Sequence, residues 1–133
     1  DLVLQRREGR LLWQILSESG LDGFYRAEEE ALKSVEASNT VIATGGSAVY
    51  YEAAMAHLKS LGTVVYMRLP FEEIESRIRN LATRGVAMKP GMTLRDTYNE
   101  RLPLYEKYAD VTIDCTGSPE HNADQIVKAV AGN

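Results

Sequence analysis

The chain has 133 residues, of which 44% are hydrophobic and 26% charged, and a formal net charge of −4. That length supports one domain with its own core, and the acidic balance argues against a nucleic-acid footprint, which is normally basic. No apolar run approaches the roughly 20 residues that span a bilayer, and no signal-peptide pattern is present.

The single Cys115 has no internal disulfide partner, which fits a reduced structural thiol in a cytoplasmic protein. His57 and His121 lack Cys or carboxylate companions at ligand spacing, so no metal site is expected on them. The chain opens on Asp1 without an initiator Met and reads as cut at that end.

In chain order, Asp1–Gln5 has the alternation of a strand leaving its sheet, and Arg6–Gly9 is a polar turn. Leu11, Leu12, Ile15 and Leu16 recur at helical spacing until Gly20 stops the helix. After a turn at Asp22-Gly23, a second helix is predicted from about Phe24 to Val35, with Glu28, Glu29 and Glu30 near its positive end.

Thr40–Tyr51 organises the rest. Val41, Ile42 and Ala43 form the short apolar run of a strand buried on both faces. Gly45 and Gly46 make a turn that lets backbone N–H groups approach a ligand. Ala48–Leu58 then reads as a helix with Tyr51, Met55 and Leu58 on one buried stripe, which places Ser47 near an anion-favouring N-terminus. Gly62 caps this helix, and Thr63–Leu69 is a second buried strand.

Pro70 opens a helix from Phe71 to about Asn80, with Ile74 and Ile78 inside and Arg77 near its C-terminal end. Arg84–Met92 has no periodicity and reads as a mobile loop in which Lys89 is a solvated lysine. Thr93 caps a helix to about Tyr105 that carries Arg101. Asp110–Asp114 is a short strand, and Gly117-Ser118-Pro119 turns into a last helix with Ile126, Val127 and Val130 inward. Strands alternating with helices imply a three-layer αβα domain over residues 1–133 with a mainly parallel sheet.

Several of these residues carry a family likeness. Arg101-Leu102-Pro103-Leu104-Tyr105 followed by Tyr108-Ala109-Asp110 resembles the Arg-x-Pro-Leu-Tyr…Ala-Asp run of the shikimate kinase family, small P-loop phosphotransferases. Ala43-Thr44-Gly45-Gly46-Ser47 resembles that family's Gly-Gly-Gly turn after its third strand. The resemblance runs from Asp1 to the last helix. It implies ATP-dependent phosphorylation of a small hydroxylated acid, shikimate above all, by a cytoplasmic monomer with ATP and Mg2+. A shikimate-kinase-like module that binds a metabolite without catalysis is the alternative.

The resemblance also assigns roles. Asp1 would hold the acceptor hydroxyl and take its proton. Arg84, in a lid over residues 82–93, would stabilise the transferring phosphoryl group and touch ATP. Arg101 would fork onto the acceptor carboxylate, with Gly45, Gly46 and Ser47 lining the same pocket. Arg77 would lie against adenine near the Pro119 turn.

Three departures bear on the acceptor. Ungapped, Phe24-Tyr25-Arg26-Ala27-Glu28 puts Tyr25 where the family has a carboxylate-binding arginine. With one inserted residue, Arg26 takes that place, and the sequence leaves both registers open. Ser47 replaces a third glycine, and Gly85-Val86-Ala87-Met88 departs from the family's lid wording. No G-x-x-x-x-G-K-[ST] occurs in the chain, so the first strand, the P-loop and the main Mg2+ ligands are expected upstream of Asp1.

Overall fold

The computed structural model describes residues 2–78 and 87–131. Its elements in order are α1 (Leu2–Glu8), α2 (Leu12–Lys33), a single 3-10 turn (Ala48–Tyr50), α3 (Glu52–Leu61), β1 (Val65–Arg68), α4 (Phe71–Arg77), α5 (Leu94–Tyr108), β2 (Val111–Asp114) and α6 (Pro119–Ala131). Among the described residues the sheet has two strands. β1 and β2 run parallel in the register Val65↔Val111 to Arg68↔Asp114, with α4 and α5 in the connection between them, as a parallel pair requires.

The helices obey their local signals. Gly20 breaks α2 with φ 66 and ψ −176, a left-handed φ that glycine adopts without a Cβ clash. The Gln14 side chain accepts the Leu11 N–H at 2.8 Å at the start of α2. At α5, Thr93 Oγ1 accepts from the Asp96 N–H and the Asp96 carboxylate accepts the Thr93 N–H, a reciprocal cap that contributes about 1 kcal/mol. α5 continues past Tyr105 to Tyr108 with Pro103 inside it.

Two apolar clusters hold these helices together. Leu4, Ile15, Phe24, Ala31 and Ala87 form one, and Ala48, Val49, Met55 and Leu58 the other. Ile15 is wholly buried, and a side chain of that size contributes about 1.5–3 kcal/mol by leaving water.

Four expectations are corrected. Residues 2–5 lie in α1, not in a strand. Leu2 and Val3 are exposed and only Leu4 is buried, so the segment has no sheet face to share. A helix satisfies its backbone groups without a neighbour.

Val41–Ala43 is not in a strand, and Val41 is 95% exposed, because no described strand lies alongside to complete its hydrogen bonds. A cleft of about 420 Å3 separates residues 37–44 from β1 and α6. The helix expected from Ala48 begins instead as the 3-10 turn, and extended Tyr51 (φ −106, ψ 98) separates it from α3. On α6 the buried residue is Asn122, whose Nδ2 donates to the Cys115 and Gly117 carbonyls, while Val127 and Val130 are exposed, Val130 beside the cleft.

Candidate active site

The glycine turn, α2 and α5 meet around a cavity of about 330 Å3. Leu12, Phe24, Ile74, Ile78, Leu94 and Tyr98 supply apolar walls, and Glu28, Gly45–Ser47, Thr97, Arg101 and Tyr105 its polar groups. Phe24, Glu28 and Ala31 recur at i, i+4 and i+7 on α2 and are its buried face after Gly20. Thr97 and Arg101 are the buried pair at i, i+4 on α5. Glu28 is thus carried inward on an apolar stripe of α2, and Arg101 beside Thr97 on the buried face of α5.

Glu28 is 5% exposed. Ser47 Oγ donates to its Oε2 at 2.5 Å and Tyr51 Oη donates to the same oxygen at 2.8 Å. Burial first, and the Glu28 charge second, push the Tyr51 hydroxyl well above the ordinary phenol range, so it stays a donor. Ser47 also starts the 3-10 turn, whose first bonds are Ala48 N–H to Gly45 O and Tyr50 N–H to Ser47 O. A buried carboxylate therefore anchors the glycine turn from behind.

Arg101 is 7% exposed. Its Nε donates to Tyr50 Oη at 3.1 Å, and its Nη2 to the Ala87 carbonyl at 2.6 Å. The guanidinium carbon lies 5.1 Å from the Tyr50 ring centroid. Burial works against its charge, but the Tyr50 hydrogen bond and the nearby Tyr105 and Tyr50 phenols outweigh it, and the pKa is raised. None of the ion pairs among the described residues includes Arg101. A buried cation on a cavity wall with no ion-pair partner among the described residues is arranged for an anion.

Gly46 completes the contact. A Cβ there would stand 3.0 Å from Arg101 Nη1 and 3.1 Å from Tyr105 Oη. Tyr105 Oη donates to the Gly46 carbonyl at 2.8 Å, pinning the turn to α5. Glycine is favoured at 46 by this close approach rather than by a positive φ, since a Cβ would push the Arg101 and Tyr105 side-chain ends aside.

The structure therefore brings Gly45, Gly46, Ser47 and Arg101 together. It leaves Arg26 exposed on α2, with Nε donating to the Asp22 carbonyl at 3.4 Å, away from the cavity lining. Arg77 is half exposed in the last turn of α4, paired with Glu73 at 3.5 Å, and Pro119 begins α6; neither lines this cavity. Asp1 and Arg84 lie outside the described residues, as do residues 82–86 of the expected lid. From the rest of that lid, Ala87 is buried against Arg101, and Lys89 reaches both Glu100 oxygens at 2.9 Å.

Glu28, Tyr50 and Tyr51 were absent from the expected site. Glu28 was signalled by its place four residues beyond Phe24 on an otherwise apolar face. The two tyrosines gave no signal apart from the buried stripe at Tyr51. Among the described residues no three His, Cys, Asp or Glu cluster as metal ligands.

Comparison with known proteins places this arrangement. A family model described as shikimate kinase matches residues 1–131. The chain is 33% identical over 134 residues to a shikimate kinase of Aquifex aeolicus (strain VF5), covering 100% of this chain and 79% of that protein. It is 32% identical over 126 residues to shikimate kinase 2 of Dickeya chrysanthemi, covering 90% and 72%.

The fold superposes with a TM-score of 0.85 on a shikimate kinase from Acinetobacter baumannii in complex with shikimate, at 29% identity, covering 100% of this chain and 76% of that one. The architecture is accordingly the α/β fold of the P-loop kinases. The chain belongs to the shikimate kinase family of phosphotransferases.

Proposed function

We propose that the cavity between Glu28 and Arg101 binds a small hydroxylated acid, that the acid is shikimate, and that its hydroxyl is phosphorylated from ATP to give shikimate 3-phosphate. The observation that carries this reading is Arg101, a buried guanidinium on the cavity wall with no carboxylate partner among the described residues. The Acinetobacter neighbour, which is a complex with shikimate, supports the choice of acid.

Arg101 binds the acceptor's carboxylate, and the Gly45-Gly46-Ser47 turn fixes the ring beside it. Orientation of this kind supplies much of phosphoryl-transfer catalysis, since the protein has little covalent chemistry to perform. The acceptor oxygen attacks the γ-phosphorus, its proton passes to a carboxylate, and the bond to the ADP oxygen breaks. Asp1 is assigned as that carboxylate and Arg84 as the cation over the transferring group, both from their positions in the family motif. Arg77 and Pro119 are assigned to the adenine side on the same ground. Mg2+ as cofactor, a monomeric state and a cytoplasmic location belong to this reading and rest on family membership.

The test is γ-phosphoryl transfer from ATP to shikimate by the native protein, followed by 31P NMR. A new phosphomonoester signal that requires shikimate is expected. None at saturating ATP, Mg2+ and shikimate overturns the assignment.

A further inference from the structure

We propose that Tyr50 is a positioning residue for the acceptor's acid group: its hydroxyl takes the single Nε proton of Arg101, so that Arg101 meets the acid end on, through Nη1 and Nη2. The inference rests on the acceptor reading above and deepens it by naming how the guanidinium is aimed.

A guanidinium grips a carboxylate either side on, through Nε and Nη2, or end on, through Nη1 and Nη2. Arg101 Nε donates to Tyr50 Oη at 3.1 Å, which closes the side-on fork. Nη2 gives a proton to the Ala87 carbonyl at 2.6 Å and keeps its second. Nη1 stands against the glycine turn, 3.0 Å from where a Gly46 Cβ would be. Gly46 and Arg101 both line the cavity, which puts the end-on edge on the acceptor's side.

Tyr50 is built into the turn that forms the pocket. It ends the 3-10 turn that starts after Ser47, with its N–H donating to the Ser47 carbonyl at 3.0 Å. The link from this turn to α5 runs both ways. Tyr50 Oη accepts from Arg101, and Tyr105, one helical turn further along α5, donates to the Gly46 carbonyl at 2.8 Å. The Tyr50 ring lies between two cations, with its centroid 5.1 Å from the Arg101 guanidinium carbon and 5.4 Å from Lys89 Nζ, and Lys89 is tied to both Glu100 oxygens. Ala48 and Val49 of the turn pack into an apolar cluster, while half-buried Tyr50 gives its hydroxyl to the guanidinium.

Burial raises the Tyr50 pKa, so the hydroxyl stays neutral and leaves the Arg101 charge to the acid. A free arginine side chain spreads over many rotamers, and ordering it on binding costs affinity. With Nε engaged, that ordering is complete before the acid arrives.

The experiment measures dissociation constants of shikimate and of its methyl ester by calorimetry for the native protein, Tyr50→Phe and Arg101→Ala, with thermal unfolding as the check on folding. Tyr50→Phe keeps the ring and removes only the Nε partner. It should weaken the acid by about fivefold or more, within the range that ordering one long side chain carries. The ester should weaken by about twofold or less, since it offers no charge for the fork to meet. Tyr50→Leu, which also lacks the hydroxyl, should show the same split and decides if Tyr50→Phe does not fold. Arg101→Ala should remove the preference for the acid over the ester.

An acid affinity unchanged by loss of the Tyr50 hydroxyl, or acid and ester weakened by the same factor, overturns the role of Tyr50 while the acceptor reading stands. Acid binding that Arg101→Ala leaves intact, or binding of neither compound by the native protein, overturns the acceptor reading and this inference together.

Discussion

Replacing Ser47 and Tyr51, singly and together, measures how the buried charge of Glu28 is held. Both hydroxyls donate to one carboxylate oxygen, at 2.5 and 2.8 Å, and Glu28 is 5% exposed. Hydrogen bonds to a charged group contribute about 1.5–3 kcal/mol each. Ser47→Ala and Tyr51→Phe are each expected to cost about 2 kcal/mol, since either leaves one donor and Phe preserves the ring packing. The double variant removes every described donor and strands a buried charge, which is the costly case for such groups.

Its destabilisation should therefore exceed the sum of the singles by about 1 kcal/mol or more, the coupling expected of residues sharing one partner. Urea unfolding of the four proteins at pH 7 gives the cycle. Singles below about 0.5 kcal/mol that add without coupling would show that cavity water, not these hydroxyls, solvates the carboxylate, and that the anchoring of the glycine turn is misassigned.

Gly46→Ala should weaken shikimate binding by about tenfold or more with a small change in stability, because its Cβ meets the movable Arg101 and Tyr105 ends rather than backbone; unchanged affinity in calorimetry would detach the turn from the site. Asp110 accepts from Lys59 and from the Val64 N–H, joining the end of α3 to both strands. Lys59 and that N–H hold its folded pKa below the ordinary range, so its contribution is present above the unfolded pKa of about 3.9 and fades as pH falls through the folded value. Asp110→Asn should then lower Tm at pH 7 and converge with wild type toward pH 2; a constant difference across that range would refute the linkage.

Much of the fold is legible in the sequence because its signals are local. The stop at Gly20, the Thr93 cap and the Pro70 start each depend on a few adjacent residues, and each stands where the pattern puts it. The unread parts are those that depend on a neighbour. Val41–Ala43 has the composition of a central strand, yet a strand exists only when another backbone pairs with it. Ser47 was legible as an additional hydroxyl in the pocket but not as one turned onto Glu28, since the partner sits 19 positions away on another element. Val127 and Val130 were read inward from helical period alone, which fixes a stripe but not what lies opposite it.

The phase of α2 around Tyr25 and Arg26 is set by apolar packing. Each helical residue turns the chain by about 100°. Phe24, Glu28 and Ala31 fall within one narrow stripe, and all three are buried. Phe24 and Ala31 belong to the cluster with Leu4, Ile15 and Ala87, so the phase of the helix is set by packing against α1 and the start of α2. On that phase Tyr25 stands at the edge of the buried stripe and Arg26 roughly 170° from its centre, on the far side of the helix.

Turning Arg26 into the cavity would require the whole segment to rotate, carrying Phe24 and Ala31 toward water. Losing the burial of one phenylalanine costs about 1.5–3 kcal/mol, and the Glu28 carboxylate would lose the Ser47 and Tyr51 hydroxyls as well. A single guanidinium contact regained at the cavity does not offset both losses. The apolar residues around the signature, rather than its charged ones, decide which side of the helix turns inward.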